Sequence, residues 1–194
     1  MHINVAGTVK NSFVDWPGKI AFVVFLAGCN FNCPHCHNHN ILSSMSNRLP
    51  WGSVLTDIKE QIGFIDGVVI SGGEPTQHPH LDQIIRDIRA LGLPVKLDTN
   101  GSDFDTLRRL VEDGLVSFVA MDIKAPLARY GELGFFKGSI DDVERSIEFL
   151  KQAKVDFMFR TTPIPELTEQ DFMGIKKLVG DATWVKNNFV PQKP

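Results

Sequence analysis

Short apolar runs alternate with helical patterns along most of the chain, and this alternation limits the folds that the chain can adopt. Six runs rich in β-branched and aromatic residues predict strands buried on both faces. They span residues 19–27, 67–71, 94–98, 116–123, 155–161 and 183–190. Helical patterns lie between them, over residues 53–64, 80–91, 102–113, 139–154 and 168–179. Strands that alternate with helices predict a parallel sheet with helices packed outside it.

Three of the predicted helices begin with a capping-box pattern, in which Ser or Thr precedes Asp by three residues. The pairs are Ser102 with Asp105, Ser139 with Asp142, and Thr168 with Asp171. They support the helix starts that the apolar periodicity indicates.

Chain length narrows the architecture to an open, partial (β/α)6 barrel. A closed barrel has eight β/α units and typically about 250 residues, whereas this chain has 194 residues and six predicted strands. No repeat of fixed period and no linker rich in Gly, Ser or Pro divides the sequence. We therefore expect a single domain over residues 1–194.

Composition and charge argue against several classes of protein. With 43% hydrophobic and 22% charged residues, the chain is globular in composition and not disordered. A net charge of −3 provides no field for a phosphate backbone, so nucleic acid is not an expected partner. The longest apolar run, residues 20–28, is about half the roughly 20 residues that span a bilayer. With no signal-peptide pattern at the N-terminus either, we expect no membrane segment and a cytoplasmic location.

Polar or glycine-rich residues follow five consecutive predicted strands. In α/β barrels the loops after the strands converge over one mouth, so we expect these residues to share a site. After successive strands the sequence reads Gly28-Cys29, Ser71-Gly72-Gly73-Glu74-Pro75, Asp98-Thr99-Asn100-Gly101, Asp122-Ile123-Lys124 and Arg160-Thr161-Thr162.

All three cysteines of the chain lie within eight residues, at Cys29, Cys33 and Cys36. An odd, tightly spaced set is a poor disulfide framework and favours metal binding. Thiolates suit both zinc and iron–sulfur clusters. A zinc-binding interaction module would take a fourth ligand from one of the neighbouring histidines, His35, His37 and His39. A four-iron cluster on three cysteines would instead leave one iron open to substrate, which suits catalysis.

The motifs resemble those of a known enzyme superfamily. Cys29-x3-Cys33-x2-Cys36 resembles the cluster motif of the radical S-adenosylmethionine (SAM) enzymes, and Gly72-Gly73-Glu74 resembles their Gly-Gly-Glu motif. His35 departs mildly from the aromatic residue often found before the third cysteine. Three further stretches are similar to the glycyl radical enzyme activases, and most of all to those of anaerobic ribonucleoside-triphosphate reductase. They are Ser12-x-x-Asp15-x-Pro17-Gly18, Gly28-Cys29-Asn30-Phe31 and Cys36-His37-Asn38.

This resemblance implies an oxidoreductase in which Cys29, Cys33 and Cys36 hold one 4Fe-4S cluster and SAM chelates the open iron. Reductive cleavage of SAM would give methionine and a 5′-deoxyadenosyl radical. The radical would remove a Cα hydrogen from one glycine of a partner glycyl radical enzyme, anaerobic ribonucleoside-triphosphate reductase above all. A flavodoxin- or ferredoxin-type protein would donate the electron.

The resemblance also implies roles for the other strand-end residues. Gly72 and Gly73 would let the backbone approach the cofactor, and Glu74 would bind the methionine ammonium. His37 and Asn38 would order the cluster loop by hydrogen bonds. The remaining candidates are Asp98, Thr99 and Asp122 for the ribose hydroxyls or a monovalent cation, and Lys124 and Arg160 for the methionine carboxylate.

Structural roles without any part in catalysis stay open for several of these residues. Asp98 could cap the helix that starts at Ser102, Asp122 and Lys124 could form an exposed pair, and Arg160 could be a solvated charge. A second enzyme class, the 7-carboxy-7-deazaguanine synthases, shares the cysteine spacing and the length and acts on a small molecule. The motif Cys36-His37-Asn38 favours the activase.

Overall fold

The computed structural model describes residues 3–36, 48–133 and 140–191. Its strands are β1 (Asn4–Val5), β2 (Gly7–Ser12), β3 (Ala21–Leu26), β4 (Leu49–Pro50), β5 (Gly67–Gly72), β6 (Val95–Thr99), β7 (Phe118–Asp122), β8 (Asp156–Thr161) and β9 (Trp184–Lys186). Its helices are α1 (Trp51–Glu60), α2 (Leu81–Ala90), α3 (Phe104–Glu112), α4 (Asp141–Gln152) and α5 (Glu169–Val179). Short 3-10 turns lie at Pro75–Gln77 and Leu127–Arg129.

Seven of the strands form one sheet in the order β2-β3-β5-β6-β7-β8-β9. The six strands from β3 to β9 in this order pair in parallel, and β2 pairs antiparallel with β3. Across the described ranges the two end strands, β2 and β9, do not pair, so the sheet is open. β1 and β4 form a separate two-stranded pair. The predicted open (β/α)6 barrel is therefore confirmed, with one antiparallel strand added at its edge.

β2 was not predicted from the sequence, because an edge strand lacks the continuous apolar run of a buried one. Its residues Lys10 and Asn11 are polar and exposed, and Val9 is 41% exposed. β2 makes hydrogen bonds on one side only, so hydrophobic burial does not dictate its composition. The other six strands lie within or next to the predicted ranges.

Only one of the three expected capping boxes is present in the described residues. Thr168 and Asp171 form it at the start of α5. At α3 the capping side chain belongs to Asp103, which accepts from the Thr106 amide at 3.1 Å, so the prediction for Ser102 was off by one residue. α4 begins after Ile140 with no side-chain cap. Ser139 lies outside the described residues.

Trp16 closes the end of the barrel that the strands enter. It lies in the turn between β2 and β3, is 3% exposed, and packs with Ala21, Val23 and Val69 in a small inner cluster. Its ring centroid is 6.2 Å from that of Phe118 at the start of β7. The motif around Ser12 and Pro17 thus carries a structural side chain, and the opposite end of the barrel is left for the site. No helix of the described segments is long and apolar enough to cross a membrane.

Candidate active site

A cavity of about 220 Å³ opens at the C-terminal ends of the parallel strands. All eleven residues assigned to the site from sequence line it: Cys29, Cys33, Cys36, Gly72, Gly73, Glu74, Asp98, Thr99, Asp122, Lys124 and Arg160. Ser71, Asn100 and Thr162, which were expected at the shared strand ends without individual roles, also line it, as does His35, the possible zinc ligand. The remaining lining residues, Phe31 and Ile164, had no predicted place in the site. The structure therefore brings the candidates together, while their individual roles in binding stay predictions.

The cysteine loop begins where β3 ends. Gly28 has a φ of +88°, a conformation that favours glycine, and it turns the chain out of the strand. The three cysteines are half-buried and are not joined by disulfide bonds. Cys29 Sγ accepts a hydrogen bond from the Phe31 amide at 3.4 Å, and the Cys36 amide donates to the Cys33 carbonyl at 3.2 Å. These local bonds hold the thiols at the cavity wall.

Burial disfavours the ionised form of these thiols. It raises the pKa of Cys29 to about 11, and the charge of Glu74 adds to the rise. Burial also raises the pKa of Cys33, which the ammonium of Lys124 opposes. Because the thiolate is the metal-binding form, a positively charged metal group is what would stabilise it here.

The donors can be compared with the needs of two kinds of metal group. A structural zinc needs four ligands around one ion; within the described residues no three Cys, His, Asp or Glu side chains converge on one point, and the candidate ligands His37 and His39 lie outside those residues. A 4Fe-4S cluster is held by separate cysteine thiolates on its irons, so the cysteines surround a volume. Three thiols lining one cavity fit that requirement.

Glu74 joins three loops beneath the cavity. It is 1% exposed, and Oε1 accepts from the Thr76 amide at 3.1 Å, the Thr76 hydroxyl at 2.7 Å and the Thr99 hydroxyl at 2.7 Å. Oε2 accepts from the Asn100 amide at 2.6 Å, and the Glu74 amide donates to the Gly28 carbonyl at 2.8 Å. Burial raises the pKa of Glu74, and the hydrogen bonds from Thr76, Thr99 and Asn100 oppose that rise. Glu74 thus ties the loops after β3, β5 and β6 to one another.

Gly72 allows β5 and β3 to approach closely at the cavity wall. Its φ is +115°, and a Cβ at this position would lie 2.3 Å from the Leu26 carbonyl oxygen. Any larger residue would therefore push the strands apart. The Gly73 amide donates to the same carbonyl at 2.9 Å.

Asp122 is paired with two cations. Lys124 Nζ donates to its Oδ2 at 2.9 Å, and Arg160 Nε donates to its Oδ1 at 2.9 Å. Burial alone would raise the pKa of Asp122, but Arg160 and Lys124 outweigh it and lower the pKa to about 2. Asp122 and Lys124 are each about three-quarters buried and Arg160 is 16% exposed, so the exposed-pair and solvated-charge alternatives are wrong.

Asp98 is held from three sides. Its Oδ2 accepts from Ser71 Oγ at 3.1 Å and from Arg160 Nη1 at 3.3 Å, and its Oδ1 accepts from Lys96 Nζ. The alternative in which Asp98 caps α3 is wrong, because Asp103 has that role. Lys96 was not predicted as a site residue. Its spacing from Asp98 could have indicated it, because residues two apart on a strand share a face.

Three further contacts tie the cysteine loop to the other side of the mouth. Asn30 Nδ2 donates to Ser102 Oγ at 2.7 Å, and Asn30 Oδ1 accepts from Asn100 Nδ2 at 3.1 Å. His35 Nε2 lies 2.9 Å and 3.0 Å from the two carboxylate oxygens of Glu166, after β8. The hydrogen-bonding roles expected of His37 and Asn38, and the ligand alternative at His39, lie outside the described residues.

This fold and this site define a class. Residues 23–179 match the family model of the Radical SAM superfamily, and the chain belongs to that superfamily. SAM and a 4Fe-4S cluster follow as its cofactors, and its relatives are oxidoreductases. The solved structure of Streptococcus suis SuiB shares the fold at a TM-score of 0.68, with 11% identity over 88% of this chain and 40% of that one.

Two curated relatives are more specific. The chain is 34% identical over 183 residues to a provisionally named glycyl-radical enzyme activating enzyme of Methanocaldococcus jannaschii, which covers 91% of this chain and 75% of that protein. It is 31% identical over 132 residues to the pyruvate formate-lyase-activating enzyme of Streptococcus mutans. That match covers 62% of this chain but only 50% of the relative.

Proposed function

We propose that this chain is a radical SAM activase that generates a glycyl radical on a partner enzyme. The observation that carries the proposal is its 34% identity, over 91% of its length, to a provisionally named glycyl-radical enzyme activating enzyme. The cavity supports it, because the cysteine loop and Gly72 to Glu74 meet at one mouth. Cys29, Cys33 and Cys36 would hold a 4Fe-4S cluster there. That group would supply the one-electron reduction that splits SAM into methionine and a 5′-deoxyadenosyl radical, the species that would take a Cα hydrogen from the partner's glycine.

The chain's own residues would bind and orient SAM. Lys124 uses one of its three ammonium donors on Asp122, and Arg160 uses Nε and Nη1 on carboxylates, so both retain donors for the methionine carboxylate. Glu74 Oε2 accepts a hydrogen bond from the Asn100 amide and keeps acceptor capacity for the methionine ammonium. Thr99 and Asp98, at the end of β6, would face the ribose hydroxyls.

The same resemblance extends the proposal to the partner enzyme, the electron donor and the cellular location. The partner would be anaerobic ribonucleoside-triphosphate reductase, the electron donor a flavodoxin- or ferredoxin-type protein, and the location the cytoplasm, with residues 1–194 acting as one domain and without nucleic acid. The stretches Ser12 to Gly18 and Cys36 to Asn38 support this choice of partner. A monovalent cation near Asp98, Thr99 and Asp122 is the sequence-based alternative to the ribose hydroxyls, and it would compete with protein cations already there.

Deuterium transfer tests the proposal directly. The reconstituted chain is mixed with anaerobic ribonucleoside-triphosphate reductase that carries deuterium at the glycine Cα. We expect deuterium in the methyl group of 5′-deoxyadenosine and one 5′-deoxyadenosine per radical. Pyruvate formate-lyase, labelled in the same way, serves as the second candidate partner.

Two outcomes would point elsewhere. If no glycyl radical enzyme transfers deuterium while a small heterocycle is turned over, the activase proposal fails in favour of an enzyme of the deazaguanine type. If anaerobic reconstitution yields one colourless zinc ion in place of about four irons and a brown chromophore, the chain is a zinc-binding module.

A further inference from the structure

Lys96 is a buried cation that the proposed function does not use. It lies in β6, the central strand of the sheet, and its side chain is fully buried. Its register neighbours on the adjacent strands are Val69 and Phe118, which belong to the apolar cluster around Trp16. A charge in such surroundings is costly unless it is paired.

Asp98 is the partner of this lysine and connects it to the cavity. Lys96 Nζ contacts Asp98 Oδ1, and Asp98 lines the cavity whereas Lys96 lies behind it. Removing Lys96 would leave Oδ1 of an 8% exposed carboxylate without this donor. Lys96 therefore acts on the cavity through Asp98 and is a positioning residue.

The charges around the two aspartates leave little need for a metal cation. Asp98 and Asp122 contact Lys96, Lys124 and Arg160. Two negative groups thus face three positive ones. A metal ion placed between the aspartates would be repelled by the cations that already contact their oxygens.

We propose that the Lys96 ammonium is a built-in counter-cation, which holds Asp98 in its orientation in place of a bound monovalent metal ion. The inference rests on the proposed function only in that the cavity binds SAM. Its consequence is specific: SAM binding by this protein needs neither Na⁺ nor K⁺, and removal of the ammonium creates that need. A merely structural role for Lys96 would not produce a dependence on the cation in the buffer.

The test compares SAM affinity in KCl, NaCl and tetramethylammonium chloride at equal ionic strength, by calorimetry on the cluster-loaded protein. We expect wild-type dissociation constants that agree within about twofold in the three salts. Lys96→Met keeps the aliphatic bulk and vacates the position of the ammonium. We expect this variant to bind SAM about tenfold more weakly in tetramethylammonium chloride and to recover in KCl or NaCl. Lys10→Met removes an exposed ion pair with Asp57 and should behave as wild type.

Three results would overturn the assignment: a wild-type affinity that rises strongly with K⁺ or Na⁺, an unchanged affinity of Lys96→Met in all salts, or an equal loss in all of them. If Lys96→Met does not fold, the wild-type SAM affinities in the three salts alone decide whether SAM binding needs a metal cation.

If the wild type binds no SAM in any salt, the proposed function fails, and thermal unfolding of the cluster-free chains then tests the role of Lys96. Stabilisation of Lys96→Met by K⁺ or Na⁺, of about 2 °C and absent in wild type, then supports the counter-cation, and equal melting temperatures in the three salts exclude it.

Discussion

At the scale of single residues, the three half-buried thiols can be removed without opening the core. We expect Cys29→Ala, Cys33→Ala or Cys36→Ala each to prevent a stable 4Fe-4S cluster, because every cysteine would hold a separate iron. Iron content and the electron resonance signal of the reduced cluster measure this, and circular dichroism of the cluster-free chains checks that the fold persists. A variant with full iron content and an unchanged signal would show that its cysteine is not a ligand.

Glu74 combines two residue-scale roles that substitution can separate. Glu74→Ala leaves the amides of Thr76 and Asn100 without an acceptor, so we expect the cluster-free chain to lose about 1–3 kcal/mol of unfolding free energy. We also expect SAM to bind roughly ten- to a hundredfold more weakly, while the cluster is retained. Chemical denaturation and calorimetry measure the two effects, with the exposed Glu60→Ala as the matched control.

A SAM fragment without the methionine ammonium tells whether Glu74 contacts that group. If it does, Glu74→Ala should hardly change the affinity for 5′-methylthioadenosine. Equal weakening of both ligands would instead mean that Glu74 acts only by holding the loops of Gly28, Thr99 and Asn100 in place.

The residues of the site were largely predictable because one rule of topology places them together. The C-terminal ends of parallel strands meet on one side of a sheet, so the stretches after five strands contained twelve of the residues that line the cavity, without any knowledge of distances. Lys96 was missed because it precedes the strand end and acts from behind Asp98. Glu166 was missed because its contact with His35 joins loops 131 residues apart, which no local pattern encodes.

At the scale of helices and strands, apolar patterns located the elements more reliably than residue spacing located their caps. Apolar periodicity located the five helices, but caps depend on the geometry of the last turn residues, which spacing alone does not fix. Ser102 and Asp103 are both acceptable N-cap residues, and the choice of Asp103 leaves Ser102 free to accept from Asn30. β2 was missed for a different reason, since its position depends on pairing with β3 and not on its own composition.

Helix caps give an element-scale prediction. Thr168→Ala removes the capping box of α5, and Asp103→Ala removes the cap of α3, so each should lower the free energy of unfolding by about 1 kcal/mol. Ser102→Ala is the matched control, and we expect it to cost less than either cap because it removes only the exposed hydrogen bond from Asn30. Denaturant unfolding of the cluster-free chain measures all three. A larger loss for Ser102→Ala than for Asp103→Ala would contradict the cap observed at α3.

At the scale of the whole molecule, the apolar cluster around Trp16 fills one end of the barrel, and the candidate site lies at the other end. Trp16 packs against the start of β5 so closely that a Cβ on Gly67 would lie 2.7 Å from its ring. We expect Trp16→Ala to destabilise the chain by about 3–5 kcal/mol, whereas Phe13→Ala, exposed in the same turn, should change stability by less than about 0.5 kcal/mol. Thermal and denaturant unfolding provide the comparison. SAM affinity of folded Trp16→Ala near the wild-type value would confirm that the two ends are separate.

At this scale the step that limits activation of the partner enzyme can also be predicted. A cavity at the C-terminal ends of the strands of an open sheet can receive a polypeptide loop. On the proposed function, a glycine that is buried in the partner would first have to leave the partner's core. We expect that opening, and not hydrogen transfer, to limit activation, because conformational steps limit many enzymes. The chain alone should then cleave SAM slowly. Deuterium at the glycine Cα should reach 5′-deoxyadenosine while slowing activation by less than about twofold, and mild destabilisation of the partner's glycine loop should speed activation. A large isotope effect on the activation rate, with no response to loosening of that loop, would place the barrier at hydrogen abstraction instead.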